Sequence, residues 1–346
     1  MAETKPVVRE RFAAGAARTR RESLVFTLAP LLLAGCAPTI QQALTPPSEF
    51  PGPRIDSDAI ISFDGARLGL STWEAAGEPW AVIVGLHGMN DYARTFEMAG
   101  PYWAEKGVTT YAYDARGFGR SPNRGVWAGE GLMIQDLRTI VALARRKHPG
   151  AIVAVVGESM GAAQAMVAAA EAPLADRVVL CSPAVWGWAA QPLLYSFSLW
   201  AAAHTLPRQK LTPPRGLKIT PSDNEAMLIA LGGDKNMLFD TRVDAVYGLV
   251  SLMDDAAEAS ANIKGRALFL YGEKDEIIPE RAALTAARRL PPNVRTAFYP
   301  QAYHMMLRDL QAQIVWDDVL AFLRDPDSPL PSKAGPLVSK SLTSSR

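Results

Sequence analysis

The stretch AIVAVVGESMGAAQAMVAAA, running from Ala151 to Ala170, sets Ser159 between Gly157 and Gly161 where an apolar run gives way to an alanine-rich segment. A hydroxyl at a sharp strand-to-helix turn projects above the strand's C-terminal edge. The crowding of that turn calls for residues without side chains two positions before and two after it. The helix that follows turns its N-terminal N–H groups and the positive end of its dipole toward the oxygen. A serine that merely capped a helix would require neither glycine.

Serine is a weak nucleophile at neutral pH and needs a base, which in turn needs an orienting carboxylate. The chain has four histidines. His148 ends a surface helix, His204 falls in an inserted helical region, and His87 opens an HG turn whose backbone is of more interest than its ring. His304, in the loop QAYHMML, follows a strand and precedes the last helix, where a base must stand to reach the top of a sheet. Asp275, in ALFLYGEKDEIIP, lies just past another strand. It is preferred to its neighbours Glu273 and Glu276 because the EIIP turn fixes its position. The set Ser159, Asp275 and His304 supplies nucleophile, orienting acid and base for acyl transfer. The oxyanion of such a reaction needs preorganised N–H donors. Position assigns them to the backbone of Met160, directly after the serine, and of Met89, in the turn after the strand VIVGLHG.

The elements that must position these residues alternate along the chain. AIISFDGARLGLSTWEA centres on Asp64-Gly65 and reads as a hairpin. WAVIVGLHG is a continuous apolar strand, followed by a helix near Ala93 to Lys106 and the strand VTTYAYD. LMIQDLRTIVALARRKH has the three- and four-residue apolar spacing of an amphipathic helix. The strand Ile152 to Val156, the helix after Ser159 and the strand RVVLCSP come next. ALFLYGEKD, a helix near Glu280 to Arg289, the strand VRTAFYP and a helix near Ala312 to Arg324 close the pattern. Strands alternating with helices predict a mostly parallel sheet with helices on both faces. Between about Val185 and Ala261 the rhythm breaks into a helical, aromatic-rich insertion, read as a cap.

Four motifs in consistent order, HGMNDY, YDARGFGRS, GESMG and GEKDEIIP followed by AYH, resemble the monoacylglycerol lipase-like and lysophospholipase-like α/β hydrolases. The resemblance spans roughly Ile60 to Arg324. It implies the α/β-hydrolase fold, hydrolysis of acyl esters without a cofactor, and a cap that shapes the acyl pocket. The chain departs from the family's lipases at Tyr92, near where they often carry a second histidine. The same triad would also serve a thioesterase, an amidase or an acyltransferase. A non-catalytic binding lipoprotein would lack a member of the triad, and none is missing.

At 346 residues and 49% apolar, the chain has ample material for a core, and its formal charge of +1 argues against a nucleic-acid partner. Two cysteines make no disulfide framework, and no Cys/His pair has metal-ligand spacing. Near the N-terminus, Arg18, Arg20 and Arg21 precede the apolar run Leu24 to Gly35, and Cys36 follows, in the order of a secretory signal. The run, interrupted by Pro30, is too short to cross a hydrocarbon core of about 30 Å as a helix. Its ending LAGC resembles the lipobox of bacterial lipoproteins. That likeness implies acylation of Cys36, cleavage before it, and anchoring to a membrane of the bacterial cell envelope. Ala37, where an acidic residue would favour inner-membrane retention, points to the outer membrane. The expected division is therefore a signal peptide over residues 1–35 and a proline-rich tether over 36–57. A hydrolase domain over 58–325, with the cap at about 185–261, and a disordered tail over 326–346 complete it. The expected partners are a small acyl ester, lipid in character, and the membrane.

Overall fold

The computed structural model describes residues 37–212 and 218–337 of the chain. Strands β1 (Arg54–Ile55), β2 (Ala59–Ile61) and β3 (Arg67–Trp73) form an antiparallel edge. The apolar runs of β4 (Ala81–Leu86), β5 (Val108–Tyr113), β6 (Ile152–Glu158) and β7 (Arg177–Cys181) lie at the centre. Two short strands, β8 (Lys210–Leu211) and β9 (Thr241–Arg242), pair with each other in the insertion. β10 (Ala267–Gly272) and β11 (Val294–Tyr299) complete the main sheet. Among the described residues that sheet has nine strands in the order β1-β2-β3-β5-β4-β6-β7-β10-β11, parallel from β5 onward.

Central strands covered on both faces are apolar at most positions, which explains why these segments read as runs and not as alternations. The two faces still divide by the period of two. Val82, Val84 and Leu86 of β4 join one buried cluster, and Ala81 and Ile83 join the other.

Helices follow in chain order. α1 (Ala99–Glu105) packs on one face, and α2 (Glu130–Lys147) and α3 (Met160–Glu171) pack on the other. The insertion holds α4 (Leu193–Thr205) and α5 (Glu225–Gly232), and α6 (Val243–Ala259) follows it. α7 (Glu280–Ala287) and α8 (Ala312–Arg324) cover the last strands from opposite sides.

Four expectations are amended. The helix read over Ala93 to Lys106 is split into a 3₁₀ turn, Ala93–Phe96, and α1. Pro101 has no N–H to donate and is tolerated only in a first turn, so the α-helix begins just ahead of it. The insertion ends before α6, which lies on α3 with Val250, Met253 and Ala256 in the main core. Its apolar stripe makes it a layer of the domain.

The segment read as a tether is instead bound along the surface over residues 39–44. Thr39 N donates to Asp244 Oδ2 (3.2 Å), Gln41 N to the Trp127 carbonyl (3.0 Å), and Leu44 N to Asp64 Oδ2 (2.8 Å). The tail read as disordered packs as far as residue 337. β11 is an edge strand with unsatisfied backbone groups. Phe298 N donates to the Gly335 carbonyl and Leu337 N to Thr296 Oγ1, both at 3.0 Å, while Leu330 and Leu337 are buried. The segment read as a signal peptide (residues 1–35), Cys36 and residues 338–346 lie outside the described residues.

Arg116, from YDARGFGRS, ties the hairpin to α2. Its guanidinium, fully buried, donates to both oxygens of Asp64 (2.7 and 2.8 Å) and both of Asp136 (2.6 and 2.7 Å). Ser62 Oγ adds a 2.5 Å bond to Asp136. Removing one partner of such a network leaves buried charge uncompensated, at a cost of about 3–5 kcal/mol. Arg116→Ala is expected to lose stability on that scale in urea denaturation. Arg116→Lys recovers only part of it, because an ammonium cannot reproduce the planar fork.

Candidate active site

β6 runs straight into α3 through Ser159, whose backbone is held at φ +55 and ψ −113. A non-glycine residue in the left-handed region is unfavourable and persists only where its surroundings fix it. Here Ser159 N donates to the Cys181 carbonyl (3.0 Å), and the Ser159 carbonyl accepts from Ala163 N (3.0 Å) and Ala184 N (3.2 Å). The flanking glycines are required by contact. A Cβ on Gly157 would stand 2.6 Å from Ala162 N, and one on Gly161 would stand 2.5 Å from the Leu86 carbonyl oxygen. The two-before, two-after spacing is thus set by backbone approaching backbone.

Ser159, Asp275 and His304 follow the C-terminal ends of β6, β10 and β11 in the parallel part of the sheet, so all three stand at one edge. Asp275 Oδ2 accepts from His304 Nδ1 at 2.8 Å, and Asp275 Oδ1 accepts from Ile277 N (2.8 Å) and Ile278 N (2.9 Å). The EIIP turn therefore fixes one carboxylate oxygen while the other holds the imidazole. With the Nδ1 proton so engaged, Nε2 is the ring atom left to take a proton. Met160 is the first residue of α3, and its N–H is among those with no intrahelical partner. Met89 lies in the turn closed by Asp91 N to the Gly88 carbonyl (3.3 Å). A Cβ on Gly88 would touch Ser159 Cβ at 3.4 Å, which brings this turn against the serine.

The remaining histidines are otherwise employed. His87 is buried; it accepts from Ala115 N through Nε2 (2.9 Å) and contacts its neighbour Gly88's carbonyl through Nδ1 (2.7 Å). Desolvation lowers its pKa, so the neutral ring joins the ends of β4 and β5. The ring passed over in the sequence reading is thus a structural tie. His148 meets the Tyr111 hydroxyl (3.0 Å), and His204 contacts the Trp200 carbonyl (2.7 Å). Among the described residues, no group of three or more His, Cys, Asp or Glu side chains is arranged to hold a metal ion.

Behind the serine lies a cluster the motifs did not disclose. Arg308, fully buried, donates through Nη2 to Asp91 Oδ2 (2.5 Å) and Glu158 Oε1 (3.2 Å). Asp91 belongs to the Met89 turn, Glu158 precedes the serine, and Arg308 lies four residues past His304. Burial pushes the Glu158 carboxyl up, against the pull of Arg308 and the nearby His304. The signal available was Glu158 itself, a charge inside an otherwise apolar strand, which demands a buried partner.

On the cap, Leu193 is 88% exposed, Leu194 78% and Phe197 64%, with Tyr195 and Trp200 about half exposed. Only Leu199 and Ala203 of α4 are buried. Trp186 and Trp188, from the same aromatic segment, pack against the core instead.

A parallel sheet with an antiparallel edge, a strained serine at the end of β6 and a helical insertion after β7 define the α/β-hydrolase fold. Residues 77–311 match the Hydrolase_4 family, described as serine aminopeptidase, S33, and the chain belongs to that family. The monoacylglycerol lipase of Mycolicibacterium smegmatis is 27% identical over 270 residues, which cover 75% of this chain and 93% of that protein. The crystal structure of Paleococcus ferrophilus monoacylglycerol lipase superposes with a TM-score of 0.63 at 19% identity, covering 74% of this chain and 98% of that one. A soluble variant of Saccharomyces cerevisiae monoglyceride lipase, in complex with a substrate analogue, gives 0.66 at 17% identity, covering 80% and 98%.

Asp309 supports the His304 loop by accepting from Tyr303 N (2.8 Å) and Ser222 Oγ (2.7 Å), and burial raises its carboxyl to about 6 from an ordinary 3.8. A carboxyl whose folded pKa exceeds its unfolded one keeps a proton that the unfolded chain has released. Its contribution to stability is therefore lost as pH rises through that window. Asp309→Asn does not titrate there. The stability of this variant relative to wild type is expected to increase between pH 4 and pH 7, read from melting temperatures at both.

Proposed function

We propose that this serine hydrolase of carboxylic esters acts on monoacylglycerols, lysophospholipids or similar acyl esters, with Ser159, His304 and Asp275 as its catalytic set. The observation that carries the reading is the Asp275–His304 hydrogen bond at the sheet edge where the strained Ser159 stands. His304 Nε2 takes the Ser159 proton as Oγ attacks the ester carbonyl. The N–H groups of Met89 and Met160 receive the oxyanion. Collapse of the tetrahedral intermediate expels the alcohol, which leaves with the proton from His304, and the acyl group remains on Ser159. Water, deprotonated by His304, then attacks the acyl-enzyme; collapse of the second tetrahedral intermediate breaks the bond to Ser159, whose Oγ regains the proton from His304 as the carboxylic acid is released. Asp275 steadies the imidazolium in both halves of the cycle. The names of the relatives, monoacylglycerol lipase and monoglyceride lipase, support the substrate class.

The same proposal includes a membrane surface. Acylation of Cys36 would anchor the chain, and Thr39 is already held at the base of the cap by Asp244. Three residues reach at most about 10 Å, so the anchor would leave the protein beside the cap. The exposed apolar face of α4 suits a helix lying in the lipid interface. Among the described residues no helix is long and apolar enough to cross a membrane. Amide hydrolysis stands as the second reading, favoured by the family's description as serine aminopeptidases.

A fluorophosphonate probe is expected to label the wild type on Ser159 and to leave Ser159→Ala unlabelled; equal labelling of both overturns the assignment. Initial rates on p-nitrophenyl esters of graded length, beside an aminoacyl p-nitroanilide, decide between ester and amide. Mass spectrometry of protein extracted from membranes is expected to find an acylated Cys36 at the mature N-terminus. An intact peptide across Gly35 and Cys36 removes the anchor.

A further inference from the structure

The cap grips the domain at the two loops that flank Ser159. On the side of the His304 loop, Met305 N donates to the Pro221 carbonyl (2.9 Å) and Asn224 Nδ2 to the Arg308 carbonyl (3.0 Å). On the other side, the segment after α5 lies on the turn that carries Met89. Leu238 N donates to the Asn90 carbonyl (2.9 Å), and Asn90 Nδ2 donates to Thr241 Oγ1 (2.7 Å). Asp234 Oδ2 accepts from the Tyr92 hydroxyl (2.7 Å) and from Arg94 Nη1 (2.6 Å). Helix α5 bridges the two grips.

We propose that Asp234 is a positioning residue for the oxyanion hole, acting from the cap through Tyr92 and Arg94 on the turn that presents the Met89 N–H. The inference rests on the assignment of Ser159 as the nucleophile. Asn90, next to Met89, sits at φ +66, a left-handed conformation that Asn tolerates better than most residues, and the cap holds it there through the bonds from Leu238 N and to Thr241 Oγ1. Asp91, on its other side, is engaged by Arg308 beneath the serine, so the turn is fixed from below by the core and from above by the cap. The Asp234 side chain is 11% exposed. Desolvation pushes its carboxyl up, but the bonds from Tyr92, Asn236 N and Arg94 prevail and hold it below the ordinary carboxylate range. It is therefore an anion throughout the neutral range, paired with the Arg94 cation that Glu97 also holds. Tyr92 and Arg94 are the residues that carry this link. A donor displaced by about 1 Å costs a rate factor on the order of 10², so the cap takes part in the chemistry of substrates too small to reach its apolar face.

The test uses p-nitrophenyl acetate with full-length wild type, Asp234→Asn, Tyr92→Phe and Thr241→Val. The expected result is a kcat lowered by about 10–100-fold in Asp234→Asn and Tyr92→Phe, with KM within about twofold. Thr241→Val, which breaks an independent tie to the same turn, is expected to shift in the same direction and keeps the test open if another variant folds poorly. A trifluoromethyl ketone, which forms an oxyanion on Ser159, should bind more weakly in proportion to the lost kcat. Asp234→Glu should recover part of both. Wild-type kcat in the correctly folded variants, or a raised KM at unchanged kcat, overturns the proposal. Wild-type turnover that Ser159→Ala abolishes secures the nucleophile independently, so failure of one reading is distinguishable from failure of the other.

Discussion

One buried guanidinium holds the candidate site together. Arg308 reaches Asp91 in the turn after β4 and Glu158 at the end of β6, and it lies on the loop that carries His304. Three segments distant in sequence thus share a single cation. Burying the guanidinium and its two carboxylates is costly in itself, and replacing them with apolar side chains would often be neutral for stability. Their presence is better accounted for by the loops they align than by the energy they contribute.

The cap has a second character beyond covering the site. α4 directs large apolar side chains outward, and only two of its residues are buried. An isolated helix of this kind would be a liability on a freely diffusing protein. At the base of the cap, the segment following Cys36 is bonded to Asp244 and to the loop of Trp127. A lipid anchor at Cys36 and an apolar helix would then address the same surface, each raising the effective concentration of the other.

Much of this was legible in the sequence because the determining contacts are local. Gly157 and Gly161 announce the turn around Ser159, since the clashes they avoid lie within a few residues and one strand away. Asp275 is betrayed by the turn that grips it. The apolar runs fix the central strands, and the threefold-to-fourfold spacing fixes α2. What escaped notice depends on pairings across the fold. Arg308 meets Glu158 across 150 positions and Asp91 across 217, and no window of sequence contains such a pair. The role of α6 was hidden for the same reason, because an amphipathic helix does not state which surface it lies on. The segments read as tether and tail are rich in proline and polar residues, and composition alone could not reveal that each finds a row of unsatisfied backbone groups or side chains to bind.

That last feature reaches beyond the site. Residues 335–337 lie along the outer rim of β11 and cover part of it, through Phe298 N to the Gly335 carbonyl and Leu337 N to Thr296 Oγ1. Were a protease to trim the protein back to Arg324, the exposed rim would offer an open ladder to the same strand of a second molecule. Residues 330–337 act as a selvedge, a woven border that keeps a pleated fabric from joining itself to its neighbours.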